Sequence, residues 1–304
     1  QPRWLKFKKG QLDVVDVSKD NIALEITSEN ILIEALQQKG IQLFQALEPS
    51  TSLIVFNNAH PLFKDNLKLR QAMSMAFDGQ KYNELFYKGA AMQAQSLIPP
   101  GLAGYQADYI NPYQTYDPQK AKQYLADAGY PEGKGLPVIT LDVSNSSAAR
   151  QKGEHFQKCM QAIGIHIKLV ENIFPELVKK LQTKATMLHT ISWTVAYPDA
   201  ENFYQLLYGP NQPGGIGANF DDPAFNALYE KATIMPDSPA RTVLYKKLNQ
   251  IAAEHVPVIP LLHHPTIILY QGWVKNYSHA DCICGAEQYF DIDLEQKKAL
   301  LPKL

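Results

Sequence analysis

Potential metal ligands are concentrated near the end of this 304-residue sequence: His263, His264, His279, Cys282 and Cys284. Their imidazole and thiolate groups would suit zinc or copper. The spacing matches no standard zinc site, however, and two adjacent histidines on a strand point to opposite faces of a sheet. We therefore predict packing or surface roles for these side chains, with neither a metal site nor a cofactor.

Covalent catalysis has little support in the sequence. The nucleophile motif Gly-x-Ser-x-Gly is absent, and none of the three cysteines has a recognisable catalytic context. The loop of residues 209–217 resembles a phosphate-binding loop only in its glycine count, because no Lys-Ser/Thr pair follows it. We predict a connection between two helices there. The odd number of cysteines leaves their redox state open.

A third candidate is a cluster of aromatic and polar side chains: Trp193, Tyr197, Asp199, Asn202, Phe203, Tyr204 and Tyr208. Trp193 ends a predicted strand, and Asp199 is expected to cap the helix that follows. Strand ends that open into a helix are where α/β domains bind ligands, and Trp and Tyr offer flat apolar faces with polar tips. The same residues would serve equally well as core aromatics and a cap, so the pattern leaves both interpretations open.

The elements around this cluster alternate between helices and strands. Helices are predicted over 67–77 and 147–163, and from the starts Asp117-Pro118, Asp222-Pro223 and Ser238-Pro239. Strands are predicted over 12–17, 42–47, 53–57, 137–143, 165–170, 188–193, 256–262 and 266–270. The alternation of strand and helix within 137–193 predicts an α/β domain whose helices cover a sheet.

Composition excludes several classes of protein. The 29 basic residues balance 30 acidic ones, so a broad nucleic-acid-binding surface is not expected. The uncharged stretch 255–274 contains three prolines and three histidines, which are unsuited to a membrane-spanning helix. The length suffices for two domains. Because the sequence opens on Gln1 and not on Met, we expect a removed leader or a piece of a larger protein.

The run from Ser192 to Phe203 strongly resembles the extracellular solute-binding proteins of peptide and nickel ABC importers, solute-binding family 5. Further motifs occur in the family's order over most of the chain, and this order makes the resemblance specific. They include Phe56-Asn57-Asn58, Leu69-Arg70-Gln71-Ala72, Ala76-Phe77-Asp78, Ile98-Pro99-Pro100-Gly101 and Tyr116-Asp117-Pro118.

The resemblance implies a two-lobed clamp that closes on its ligand by a hinge motion. The expected fold is α/β: a periplasmic-binding-protein-like type II lobe with a mixed sheet and flanking helices, plus partial segments of the other lobe. Residues 1–58 would be a partial N-terminal-lobe segment, 59–262 the C-terminal ligand-binding lobe and 263–304 a return segment. The hinge crossings would lie near Phe56-Asn57 and Leu261-Leu262, and the N-terminal half of the clamp would be missing from this chain.

The resemblance also implies a binding protein and not an enzyme. It would deliver a peptide or another small solute to an ABC permease in the inner membrane, with no nucleic acid as a partner. The expected location is the periplasm or the extracellular face of the cytoplasmic membrane. The alternative on the same fold is a sensing or adhesion module without transport.

Six residues are expected to contact the ligand: Trp193, Thr194, Ala196, Tyr197, Asn219 and His263. Trp193 would form a wall of the cleft, and the three residues close to it in sequence would line that wall. Asn219 and His263 are included because they follow the glycine-rich loop and a hinge crossing.

One position departs from the peptide-binding members of the family. These carry an Asp three residues after the Trp, and its carboxylate pairs with the α-amino group of the peptide, whereas this sequence has Ala196. A buried ammonium group without a counter-charge is strongly disfavoured, and Asp199 is expected to be used as a cap. The open ligand classes are a modified peptide, a metal chelate, a sugar-like molecule and a peptide held differently.

Overall fold

The computed structural model of this protein describes residues 2–17, 24–27, 31–211, 215–278 and 286–304. Within these residues, no helix is long and apolar enough to cross a bilayer. The helices are α1 (Pro2–Lys8), α2 (Glu34–Gln37), α3 (Pro61–Lys64), α4 (Leu67–Met75), α5 (Gly79–Tyr87), α6 (Pro118–Asp127), α7 (Ser147–Gln161), α8 (Phe174–Gln182), α9 (Glu201–Tyr204), α10 (Pro223–Thr233), α11 (Pro239–His255) and α12 (Leu294–Leu300).

The strands form one large mixed sheet and one small pair. The large sheet contains β1 (Val14–Asp16), β2 (Gln42–Phe56), β3 (Met92–Gln93), β4 (Ile139–Ser144), β5 (Ile167–Asn172), β6 (Leu188–Thr194) and β7 (Val258–Tyr270). Its order is β1-β7-β2-β6-β4-β5, with β3 also beside β7. Strand β4 runs parallel to β5 and β6, and the other pairings are antiparallel. The small pair is β8 (Val274–Lys275) with β9 (Asp291–Ile292).

Local signals start three helices where the sequence predicts them. Asp117, Asp222 and Ser238 each accept a hydrogen bond from the backbone N–H three residues later, and a proline occupies the first helical turn. The order β4-α7-β5-α8-β6 confirms the predicted alternation of strands and helices. This part of the fold is therefore encoded by short-range interactions.

Strand β2 is covered on both sides of the sheet. Leu53 and Val55 belong to a hydrophobic core that includes residues of α9, α10 and α11. Ile54 and Phe56 belong to a second core, on the other face, with residues of α4, α6 and α7. A continuous apolar run is typical of a strand buried on both faces. The predicted fold class, a mixed sheet with flanking helices, is confirmed.

The two ends of the chain build a third, smaller core. Trp4 and Phe7 of α1 pack there with Ile267 and Leu269 of β7. Strands β2 and β7 run from this core into the two larger ones and pair with each other along most of their length. They are therefore a two-stranded connection between the ends and the middle of the chain.

The two long strands correct part of the prediction, which divided each of them into two shorter strands. The β2–β7 ladder is not broken but irregular, with register shifts between Leu47 and Thr51 and between Ser52 and Leu53. Such irregularities accommodate extra residues while the pairing continues on either side. The division into 1–58, 59–262 and 263–304 stays a prediction.

Candidate functional site

A row of polar and aromatic side chains crosses the middle of the sheet. Trp193 of β6 lies opposite Thr51 of β2, which in turn lies opposite His263 of β7. Directly opposed residues of paired strands share one face of the sheet. The Thr51 hydroxyl donates to the Leu97 carbonyl at 2.8 Å, and its oxygen is 3.0 Å from His263 Nδ1. The structure thus brings together two of the six predicted ligand-contacting residues.

His263 is almost completely buried in this row. Burial lowers the pKa of its imidazole to about 4, although a hydrogen bond to the Ser50 backbone opposes the shift. The ring is therefore neutral at physiological pH. It is a fixed, uncharged polar part of the sheet, and its contact with a ligand stays a prediction.

We predict that protonation of His263 destabilises the fold in mild acid. Its pKa is about 4 in the folded state and near 6.5 when exposed, so its contribution is complete above pH 6.5 and is lost as the pH falls towards 4. The maximum loss is about 3 kcal/mol. Urea unfolding at pH 7.5 and 4.5 measures it.

The matched variant for this prediction is His263→Gln, which cannot be protonated. Its stability should fall less between the two pH values than that of the wild type. Some dependence of stability on pH should persist in this variant, because burial also lowers the pKa of His189 to about 4. An equal loss of unfolding free energy between pH 7.5 and 4.5 in the two proteins would contradict the assignment of the pH effect to His263.

Segment 193–202 forms a tight, exposed turn between β6 and α9. The Trp193 indole N–H donates to the Asn202 carbonyl at 2.8 Å, and Asn202 Oδ1 lies 3.1 Å from the same nitrogen. The Ala196 backbone N–H also donates to Asn202 Oδ1, at 3.3 Å. The buried Asn202 therefore fixes the indole and the turn together, which leaves Thr194, Ala196 and Tyr197 exposed.

Asp199 is fully engaged inside this segment. Its Oδ1 accepts the Glu201 backbone N–H at 2.9 Å and the Tyr245 hydroxyl at 2.6 Å, and its Oδ2 pairs with Arg241 at 2.5 Å. Burial alone would raise the pKa of Asp199, but these hydrogen bonds outweigh it and lower the pKa. The prediction that Asp199 is the capping residue is wrong: Ala200 is the N-cap residue of α9 and makes no side-chain cap bond. Asp199 instead precedes the cap and accepts from the N–H of the first helical residue, Glu201.

The carboxylate of Glu201 faces two tyrosines. The Tyr197 hydroxyl donates to one carboxylate oxygen and the Tyr229 hydroxyl to the other. Among the described residues, no cationic side chain forms an ion pair with Glu201. Sequence reasoning did not select Glu201, since its tyrosine partner on α10 is distant in the chain.

Asn219 lies away from the Trp193 row. Its side-chain amide donates to Asn57 Oδ1 at 3.0 Å, just beyond the end of β2 at Phe56. Thr51 and Asn57 are six residues apart, which is about 20 Å along an extended strand. Asn219 lines a cavity of about 500 Å³ with the charged residues Lys64, Asp65, Arg70, Lys184, Asp221 and Asp222. The structure therefore does not join Asn219 to the other predicted contacts.

The two adjacent histidines point to opposite faces of the sheet, as predicted. His263 contacts Thr51, whereas His264 Nε2 lies 2.5 Å from Ser52 Oγ on the other face. Within the part of the chain that the structure describes, no three His, Cys, Asp or Glu side chains are arranged to hold a metal ion. The other candidate ligands, His279, Cys282 and Cys284, lie outside the described residues.

A mixed sheet with helices on both faces, a two-stranded connection to the third core and an exposed aromatic turn beside that connection define a lobe of a solute-binding protein. The sequence profile of bacterial extracellular solute-binding proteins, family 5 Middle, matches residues 1–215. The chain belongs to this family, which confirms the resemblance inferred from its motifs and places it among extracytoplasmic proteins.

Curated relatives include proteins with different named ligands. Heme-binding protein A of Haemophilus influenzae is 28% identical over 299 residues, 97% of this chain and 52% of that protein. The dipeptide-binding protein of Escherichia coli is 27% identical over 246 residues, 79% of this chain and 45% of that protein. Di/tripeptide-binding protein 1 of Pseudomonas aeruginosa is 30% identical over 213 residues, 69% of this chain and 39% of that protein. The chain spans about half the length of these relatives or less.

Solved structures show the same fold. HbpA2 from Haemophilus parasuis has a TM-score of 0.80 and 25% identity, and the match covers 96% of this chain and 56% of that one. The periplasmic binding protein DppA from Helicobacter pylori, in complex with the peptide STSA, has a TM-score of 0.76 and 24% identity, with coverage of 91% and 52%.

Proposed function

We propose that this chain is part of an extracytoplasmic substrate-binding protein that delivers a peptide or another small solute to an ABC permease. In this proposal it binds and releases its ligand unchanged and is not an enzyme. The chain supplies the C-terminal lobe and segments of the other lobe, and the N-terminal half of the clamp completes the cleft.

One observation carries this proposal: segment 193–202 is bonded to the irregular stretch of β2. Thr194 lies opposite Ser50, and the Val195 backbone N–H donates to the Pro49 carbonyl at 3.1 Å. The exposed turn therefore lies where β2 passes from the small core to the large ones. A ligand held between two lobes has to lie beside such a connection.

The surface of the turn is suited to a small organic ligand. The Trp193 indole is half-buried and held by Asn202, so its orientation is fixed before a ligand arrives. A preorganised aromatic surface loses little conformational entropy on binding. Thr194, Ala196 and Tyr197 are exposed residues of the same segment. Trp193, Thr194, Ala196 and Tyr197 are accordingly the proposed contacts in this lobe.

The connection itself is suited to a hinge. In the described part of the chain, β2 and β7 lead together from the third core into the other two, and their ladder is irregular between Leu47 and Leu53. Bending at an irregular ladder disturbs fewer hydrogen bonds than bending a regular one. We place the hinge on β2 in this stretch, a few residues before the crossing that the sequence predicted at Phe56-Asn57.

Mass spectrometry under native conditions tests the proposal. The full-length protein, purified without denaturation from the periplasmic fraction, is expected to carry a solute in a one-to-one complex that is released unchanged on denaturation. Peptide and heme are the classes suggested by the names of the relatives, and the released mass distinguishes them. The proposal fails if no solute is retained and neither a casein digest nor hemin raises the melting temperature.

A further inference from the structure

We propose that Glu201 supplies the negative charge that binds a primary ammonium group of the ligand, in place of the carboxylate that is absent at position 196. This inference rests on the proposed function and adds a ligand class to it. It also names a contact that was not among the six predicted from the sequence.

The carboxylate of Glu201 has unused bonding capacity. A carboxylate offers about four acceptor sites. The hydroxyls of Tyr197 and Tyr229 occupy one on each oxygen, and these two phenols are neutral donors that leave the negative charge uncompensated. Among the residues that the structure describes, no Lys, Arg or His forms an ion pair with it. A partly buried charge without a counter-ion favours a cationic ligand.

The other carboxylate of the segment cannot take this role. Asp199 already accepts from the Glu201 backbone N–H, the Tyr245 hydroxyl and the Arg241 guanidinium. Arg241 is buried and compensates the charge of Asp199 from within the lobe. An ammonium group would have to displace that guanidinium, so Glu201 is the carboxylate of segment 193–202 that can accept one.

The position of Glu201 connects it to the exposed end of the turn. Its partner Tyr197 is 44% exposed and directly follows Ala196. The backbone of Ala196 is held by Asn202, which follows Glu201 in sequence. The other partner, Tyr229, is buried beneath it. The carboxylate therefore lies between the hydroxyl of a buried tyrosine and that of an exposed one. The missing charge at Ala196 is thus replaced from the next helix.

Binding of matched ligand sets to the full-length protein tests the inference. The probes are a casein digest, the same digest after N-acetylation with lysine-free peptides selected, and spermidine as an ammonium source without a peptide backbone. The wild type is expected to retain the free digest at least tenfold better than the acetylated one. Spermidine binding without digest binding would assign the subsite to free amines instead of peptides, with the ammonium chemistry unchanged.

Two variants distinguish the effect of the Glu201 charge on binding from an effect on folding. Glu201→Gln keeps hydrogen bonds to both tyrosines and is expected to lose at least tenfold in affinity for the free digest. Glu230→Gln is the matched control, because exposed Glu230 also accepts from a tyrosine, Tyr208, at 2.8 Å. Its affinity should be unchanged. Melting temperatures verify that both variants are folded.

Two results would overturn the inference. One is equal retention of the free and acetylated digests by the wild type, a comparison that needs no variant. The other is unchanged affinity of folded Glu201→Gln for whichever amine the wild type binds. Either result leaves the proposed function intact if the native protein still carries a solute. Failure of the protein to bind any of the probes contradicts the ammonium subsite, and the co-purified solute then decides the proposed function separately.

Discussion

Trp193→Ala is expected to weaken ligand binding by the full-length protein by about 10- to 100-fold, the usual range for a buried aromatic anchor at an interface. The indole is a rigid apolar surface whose N–H is already satisfied by Asn202, so its loss removes contact area and frees the turn that carries Ala196. Calorimetry with the solute identified by mass spectrometry measures the change.

Two control variants sharpen this prediction. Tyr116→Ala removes another exposed aromatic side chain, 46% accessible, outside segment 193–202, and should leave affinity unchanged. Trp193→Phe keeps an aromatic face but loses both contacts to Asn202, and an intermediate affinity is expected. If folded Trp193→Ala binds as tightly as the wild type, the indole does not line the ligand cleft.

Arg241→Ala is expected to lower the free energy of unfolding by about 4 kcal/mol, the usual cost of leaving one member of a buried ion pair without its partner. The pair is enclosed: the side chain of Arg241 is 10% exposed and that of Asp199 is 24% exposed. Arg241 also donates to the Ala232 carbonyl at 2.8 Å, which joins α11 to α10. Urea denaturation at pH 7 measures the loss.

The control for this prediction is the exposed pair of Arg150 with Glu154. These side chains are more than half exposed and 3.8 Å apart, so Arg150→Ala should change stability by only about 0.5 kcal/mol. A loss of similar size for both variants would contradict the importance of burial for the Arg241 pair.

The effect of Arg241→Ala also has a defined pH dependence. The pKa of Asp199 in the folded protein is below its ordinary value of 3.8, so the stability contributed by its ionised form is present above that pH and is lost as the pH falls further. The difference between wild type and Arg241→Ala should therefore shrink below about pH 4. A constant difference down to pH 2.5 would show that packing, and not charge, accounts for the loss.

The proposed ligand contacts illustrate how far sequence reasoning reaches. Trp193, Ala196 and Tyr197 are predicted together because they lie in one contiguous motif, and the structure has them in one turn. Glu201 lies in the same motif, yet its availability depends on Tyr229 and on Arg241 neutralising Asp199 instead. These partners are distant in sequence, and no local pattern reports which carboxylate is already paired.

The sequence by itself determined the elements whose causes are local. The caps at Asp117, Asp222 and Ser238 are bonds to an N–H three residues away, and the apolar run of β2 reports burial on both faces. The order of motifs also identified the family. Each of these signals is contained in a few consecutive residues or in their sequence along the chain.

Only the tertiary structure decided which distant residues meet. Trp193, Thr51 and His263 form one row because the register of β6, β2 and β7 aligns them. Asn219 is bonded instead to Asn57, which lies six residues after Thr51 and just beyond the end of β2. The same pairing joins two predicted strands into one on both β2 and β7. Register is set by contacts between residues as far apart in the chain as Thr51 and His263, so its consequences cannot be read from either strand alone.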